Sequence, residues 1–396
     1  MSSEKIRVLF FDHQAELGGG EFSLYELLRN LDRGDFEPLL LLGCEGPFKE
    51  KAEELGLEVR VLNIPEKLRS LKRDPQRRNS ISSMIASAFA LPDSMFDLYK
   101  ALKDYEADIL CFNSVKSACI GVCPARLAGA KSVWILRDCL TQQFYSGYSL
   151  TAVKLLTAGV SRVIAVSDEV RRQYQKLTDA GTDRADLVYN GVDLERFKPG
   201  ADGSRLRAEL GLEGKDVVSL VGRLEPWKGQ RDFIEAAARV SEERDDVAFL
   251  IVGGPLFGRE DYERECRELA EEMHLDNVFF LGFRDDMPGV YAASDLVVHA
   301  SNLPEPFGRD VVEAMASGKP VISTNIGGPL EIITEDAGVL VEPSEPGLMA
   351  EAILDLLSEP NRMKSLAEKA RSRAEDSFDI SIRTREIEEV FRGCVS

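Results

Sequence analysis

At 396 residues, 44% apolar and 30% charged, the chain is long enough for two globular domains, each burying its own interior. Its formal charge of −19 excludes a general nucleic-acid binder, which needs a basic face to neutralise phosphates. No apolar run is long enough to span a bilayer, and Met1–Arg7 leads into a strand without the apolar core of a signal peptide, so a cytoplasmic protein is expected.

Ile6–Phe11 reads as a buried strand, and Leu17–Gly18–Gly19–Gly20–Glu21 turns from it into a helix over about Phe22–Leu31. Strand, glycine turn and helix open a Rossmann-like half. Glycines permit close backbone approach and a helix N-terminus favours an anion. A ligand-facing turn and tight packing both satisfy the pattern; it is not G-x-G-x-x-G, which weakens a dinucleotide reading.

Strands then alternate with helices: Pro38–Leu42, a helix near Phe48–Leu55, Val59–Leu62, a helix near Phe96–Tyr105, Ile109–Phe112, a helix near Ala118–Leu127, Ser132–Leu136 and Arg162–Val166. This rhythm predicts a doubly wound parallel sheet. It breaks between Pro65 and Pro92, where Lys67, Arg69, Lys72, Arg73, Arg77 and Arg78 precede Ile81, Met84, Ile85, Ala88 and Phe89 at helical spacing. Residues 67–90 are either an amphipathic segment for peripheral contact with an anionic membrane, or a solvated loop and a packed helix. Seven cysteines show no Cys-x-x-Cys spacing, and three histidines are too few to suggest zinc, so buried thiols are expected.

Ser167 caps a helix through about Leu177, and after Val188–Asp193 the polar stretch Phe197–Gly203 marks the expected domain boundary. A second series follows: Val217–Val221, Gln230–Val240, Ala248–Val252, Asp261–Met273, Val278–Leu281, Asp295–Ala300, a helix after Gly308, Pro320–Ser323 and Val339–Val341. The expected fold class is α/β, with two Rossmann-like domains facing across a cleft. Residues 1–195 and 196–378 form these domains, and the helical segment 379–396 belongs to neither alternation.

Chemistry concentrates at strand ends of the second series. Arg223 and Lys228 bracket a Pro-containing turn after Val217–Gly222, where both heads suit a diphosphate, although surface charges explain them equally. Glu305 lies in the loop before a helix and Glu313 within that helix, on the side away from Val311, Val312 and Met315. Their spacing recurs by chance in an acidic chain, but Asn325–Ile326–Gly327–Gly328 adds a further glycine turn one strand on. Successive loops thus carry cations, carboxylates and amide donors.

The run Glu305–Pro306–Phe307–Gly308–x4–Glu313–Ala314–Met315–Ala316–x–Gly318–x–Pro320, preceded by Gly222–Arg223–x4–Lys228–Gly229, resembles the Glu-x7-Glu retaining glycosyltransferases of the GT-B fold, glycosyltransferase family 4. Leu17–Gly18–Gly19, Asn190–Gly191–Val192–Asp193 and Ile251–Val252–Gly253–Gly254–Pro255 extend the resemblance along most of the chain. It implies that Arg223 and Lys228 hold the donor diphosphate, that Glu313 binds ribose hydroxyls, and that Glu305 with the backbone of Phe307, Gly308 and Arg309 contacts the transferred sugar. It further implies that Gly19 and Gly20 meet the donor from the first domain, on which the final helix packs.

No Asp-x-Asp occurs, so no metal or cofactor is expected and Arg223 and Lys228 take the leaving-group charge. The implied partners are a UDP-, GDP- or ADP-sugar and a hydroxyl acceptor: a sugar, lipid-linked glycan or glycolipid. Polysaccharide or lipopolysaccharide synthesis is the expected setting. Many relatives carry a histidine near the end of the strand occupied here by Ser132–Leu136; this chain has Arg137 and Asp138 there. With His13, these are the acceptor-side candidates. The alternatives are a nucleotide-sugar-binding subunit without turnover and an NAD-dependent dehydrogenase.

Overall fold

The computed structural model describes residues 5–69, 81–179, 184–255 and 259–396, the side chains of 81–90 excepted. The chain divides into two compact units, Met1–Gly191 with Ile380–Ser396, and Val192–Asp379. The division falls a few residues before Phe197, because Val192 already pairs with Asp379 and its N–H donates to Phe378 O at 2.7 Å. Phe197 is buried in the second unit against Tyr291, ring centroids 5.9 Å apart.

The first unit holds a seven-stranded parallel sheet. Its strands are β1 (Ile6–Asp12), β2 (Phe36–Leu42), β3 (Glu58–Val61), β4 (Ile109–Phe112), β5 (Lys131–Leu136), β6 (Arg162–Ala165) and β7 (Ala185–Leu187). Their order is β3-β2-β1-β4-β5-β6-β7. The central strands are apolar on both faces because helices cover both. The chain winds outward from β1 to β3 and then returns to β4, so the β1/β4 boundary is the point where the order reverses. Crevices for ligands open there, beyond the carboxyl ends of the strands.

The first helix is Gly19–Asn30, starting three residues before the position its apolar pattern indicates. Glu21 is the cause: its carboxylate accepts the Gly18 N–H at 3.0 Å, closing the first turn through the glycines. The helix Ile380–Val395 packs against Gly19–Asn30 and against β4, β5 and β6. Its Phe391 is fully buried, edge-on to Phe10 and Phe36 with centroids 6.0 Å from each.

The second unit has six parallel strands: β8 (Asp216–Val221), β9 (Val247–Val252), β10 (Val278–Gly282), β11 (Leu296–His299), β12 (Val321–Thr324) and β13 (Val339–Val341). They run in the order β10-β9-β8-β11-β12-β13, reversing between β8 and β11. One face is covered by Phe233, Ile234 and Val240 of the helix Gln230–Glu243 together with Met349 and Ile353, the other by Leu206, Leu212 and Val290.

Helices Gly147–Thr157, Ser204–Leu210, Met287–Ala293, Pro346–Ser358 and Pro360–Phe378 are additional to the expected elements. Pro360–Phe378 is obscure in sequence because it buries only Leu366, Ala370, Ala374 and Phe378, and alanines carry little apolar signal. Of the basic stretch, Lys72, Arg73, Arg77 and Arg78 lie outside the described residues, as do the side chains of Ile81 to Phe89. The described part is the short helix Glu66–Arg69, whose Arg69 Nε donates to Ile64 O at 2.9 Å. Among the described residues no helix is long and apolar enough to cross a membrane.

Phe391→Ala removes the aromatic that joins the final helix to β1 and β2. A loss of roughly 3–5 kcal/mol is expected, read as a lower urea midpoint for the first unit by amide hydrogen exchange. Unchanged protection of β1 and β2 would show that the helix contributes nothing to that core.

Candidate functional site

The reversal between β8 and β11 places the loops after these strands side by side. After β8, Gly222 leads through Arg223 to a single turn at Pro226–Lys228, ended by Gly229. Gly229 has φ +72°, and a Cβ there would lie 1.9 Å from Ala300 O, so only glycine lets this turn close onto the β11 loop. Asn302 N–H donates to Trp227 O at 2.8 Å, and Gln230 Nε2 to Arg223 O at 2.9 Å. The Arg223 guanidinium and the Lys228 ammonium both lie over the Trp227 ring, 5.8 and 4.8 Å from its centroid. The two cations bracketing the turn thus share one aromatic.

Lys228 Nζ lies 2.5 Å from Glu305 Oε1, with both side chains largely buried. The other oxygen of Glu305 accepts Ser301 Oγ at 2.9 Å and lies 3.2 Å from His299 Nε2. Burial alone would raise the Glu305 carboxyl, but the Lys228 and His299 charges hold it well below the usual carboxylate range. Its backbone is fixed too: Glu305 pairs with Gly327, whose absent Cβ would sit 2.5 Å from Glu305 N, and Gly328 N–H donates to Glu305 O at 2.8 Å. The third glycine turn therefore holds the glutamate's loop.

Gly308, with φ +111°, caps the helix Arg309–Ala316. Phe307 turns its ring inward, 5.8 Å from Phe378, so it offers the site backbone only. Glu313 is buried, taking Arg309 Nη2 on one oxygen at 2.7 Å and the Tyr291 hydroxyl on the other at 3.1 Å. Burial and the Glu313 charge push Tyr291 well above its ordinary value, keeping it a hydroxyl donor.

His299, unassigned by sequence reasoning, is 2% exposed, with Nδ1 2.7 Å from Asp310 Oδ2. Burial would lower it, yet the Asp310 and Glu305 carboxylates raise it to about 9. Its readable signal is a polar residue ending the apolar run Leu296–Val298 at the carboxyl edge of a buried strand. A cavity of about 340 Å³ lies beside Phe283 and Arg284, but none of Arg223, Lys228, Glu305 and Glu313 lines it. Among the described residues no group of three or more His, Cys, Asp and Glu could hold a metal ion.

The first unit has its own cluster where β1 meets β4. His13 Nδ1 lies 3.0 Å from Asp12 Oδ1 and 2.9 Å from Ser114 Oγ. Asn113 Nδ2 donates to Asp12 Oδ2 at 2.6 Å and to Gly20 O at 3.3 Å, and its Oδ1 accepts Arg137 Nε at 2.9 Å. Arg137 also donates to Asn190 Oδ1. His13, Gly20 and Arg137 thus share one polar network, with Gly19 opening the adjoining helix and Asp138 following, half-buried, after β5.

Burial and the Asp12 charge push Glu21, at this crevice, up to about 7 from 4.5. A carboxyl raised on folding contributes stability that is fully present below its unfolded value and is lost as pH rises through its folded value. Stability of the first unit therefore falls between pH 4.5 and 7, by on the order of 3 kcal/mol. Glu21→Gln flattens this slope in urea melts at pH 5 and 7.5; a slope equal to that of the unsubstituted chain would assign it to another group.

The family model of glycosyl transferases group 1 matches residues 203–373, and that of glycosyltransferase family 4 matches residues 17–196. The chain is 33% identical over 246 residues to spore coat protein SA of Bacillus subtilis, covering 59% of this chain and 65% of that protein. It is 36% identical over 228 residues to the D-inositol 3-phosphate glycosyltransferase of Nocardia farcinica, covering 56% of this chain and 50% of that one. The chain thus spans between half and two thirds of the length of these curated relatives. The crystal structure of Anabaena HepE in complex with UDP-glucose superposes with a TM-score of 0.85 at 29% identity, over 98% of this chain and 100% of that one. With two parallel-sheet units, each matched by one of the two family models, the chain belongs to the family 4, group 1 glycosyltransferases of the GT-B fold.

Proposed function

We propose that this chain is a retaining, metal-independent glycosyltransferase that moves a hexosyl group from a nucleoside-diphosphate sugar to a hydroxyl acceptor. The observation that carries this reading is the buried Lys228–Glu305 pair beside Arg223, at the point where the second sheet reverses. The similarity to a protein solved with UDP-glucose supports UDP-glucose as the first donor to test.

In this reading Arg223 and Lys228 receive the charge that develops on the departing diphosphate, and Glu313 takes the ribose hydroxyls. Preorganised donors of this kind contribute roughly 3 kcal/mol each to a transition state. Glu305 orients the sugar, together with the backbone of Phe307, Gly308 and Arg309. Attack runs on the front face: the acceptor oxygen bonds to the anomeric carbon as the sugar–phosphate bond breaks, and the acceptor proton passes to the leaving phosphate. The configuration is retained without a covalent enzyme intermediate. The polar network of His13 and Arg137, with Asp138, is assigned to the acceptor. We place that acceptor in cell-surface glycan or glycolipid synthesis, with the basic stretch Lys67–Arg78 resting on an anionic membrane.

Nucleotide release measured across UDP-, GDP- and ADP-sugars tests the reaction. The expected result is release from one donor class and, for Lys228→Ala and Glu305→Ala, a loss of at least about 100-fold with the fold kept. No release from any donor refutes the reaction; full activity of both variants refutes the site. The membrane assignment predicts co-sedimentation with anionic liposomes at low salt, lost as salt screens the charges; no binding at low salt refutes it.

A further inference from the structure

We propose that His299, clamped by Asp310, is a positioning residue that holds the Glu305 carboxylate in place while Lys228 turns to the donor diphosphate. The proposal rests on the reaction above and adds to it a group outside the Glu-x7-Glu pattern. Both ring nitrogens face carboxylates: Nδ1 is hydrogen-bonded to Asp310 Oδ2 at 2.7 Å, and Nε2 lies 3.2 Å from Glu305 Oε2 as an ion-pair contact outside hydrogen-bond geometry. A neutral imidazole has one N–H and one lone pair, so either tautomer of this buried ring would point a lone pair at a carboxylate oxygen. Only the imidazolium sets positive charge against both carboxylates.

Four charged groups then balance, Lys228 and His299 against Glu305 and Asp310. Asp310 sits in the first turn of the helix Arg309–Ala316, with its carboxylate on the His299 ring. Other titratable groups near this cluster are Arg223, which shares the Trp227 ring with Lys228, Tyr291, whose hydroxyl lies 3.3 Å from Asp310 O, and the pair of Arg309 with Glu313. Tyr291 stays neutral and the pair is balanced, so neither supplies Glu305 with a second cation.

The consequence appears when a diphosphate binds. Lys228 Nζ donates to Glu305 Oε1, and an incoming phosphate competes for that ammonium. Without a second anchor Glu305 would be a buried carboxylate free to rotate. His299 and Ser301 both engage its other oxygen, so Lys228 can serve the leaving group while the glutamate keeps its orientation toward the sugar. An imidazolium between two carboxylates also sets an upper pH limit, because loss of its proton turns one attraction into a repulsion.

The chain has three histidines, so carbon-13 labelling at histidine Cε1 gives three NMR resonances, and the one absent in His299→Gln identifies His299. It is expected to remain protonated through pH 8 and titrate near 9, moving down by more than about one unit in Asp310→Asn. In donor kinetics His299→Gln lowers kcat roughly 10- to 100-fold with little change in donor KM. Asp310→Asn moves the high-pH fall in kcat downward, in step with the NMR titration. A residue that only supports packing would lower thermal stability without moving that limb. Titration of His299 at or below its ordinary value, or in Asp310→Asn an unmoved titration, overturns the proposal. If the unsubstituted chain releases no nucleotide from any donor, the transferase reading fails by itself, and the NMR titration still decides whether the clamp exists.

Discussion

Glu305 is a charged group kept out of water, and the constraint this imposes runs through the whole second unit. Taking a carboxylate out of solvent costs several kcal/mol, recovered only when its partners are placed within hydrogen-bond reach and stay there. That requirement explains why three separate loops are fastened to one another. Thr324 Oγ1 donates to Ser301 O at 2.6 Å, Asn302 is tied to the Trp227 turn, and the Gly327–Gly328 backbone lies directly on Glu305. A loosened loop would leave a buried charge unpaired. The same fastening preorganises the site, because groups already paid for by burial need not reorganise when charge moves during a reaction.

Both units apply one topological rule with different chemistry. In each, the sheet reverses beside its first strand and polar side chains gather beyond the carboxyl edge there. In the second unit these are opposite charges in a closed balance. In the first they are a histidine, an amide, hydroxyls and one arginine joined by hydrogen bonds around Asp12.

Much of this was legible before any coordinates, for a physical reason: strands buried on both faces are apolar runs, and parallel strands put their following loops on one edge. Hence Arg223, Lys228 and Glu305 could be grouped from their positions after strands alone. What stayed hidden depends on contacts across loops. The role of His299 rests on Asp310, eleven residues later on a helix, and no local pattern joins them. The place of the Phe307 ring likewise depends on Phe378, seventy-one residues later in the chain. The start of the first helix was obscured because its cap is a glycine backbone held by the Glu21 side chain, rather than a side-chain cap visible as Ser, Thr or Asp. The helix Pro360–Phe378 leaves little apolar pattern because two of its four buried residues, Ala370 and Ala374, are alanine.

The contribution of Ile380–Val395 to the first unit has a consequence for biosynthesis. Residues 192–379 are continuous in sequence and complete as a unit, so they can fold as soon as they leave the ribosome. The first unit cannot: Phe10 and Phe36 are translated early but meet Phe391 only after the entire second unit has been made. Its hydrophobic surface over β1 and β2 must wait uncovered through that interval. The order of translation and the order of completion are therefore opposite.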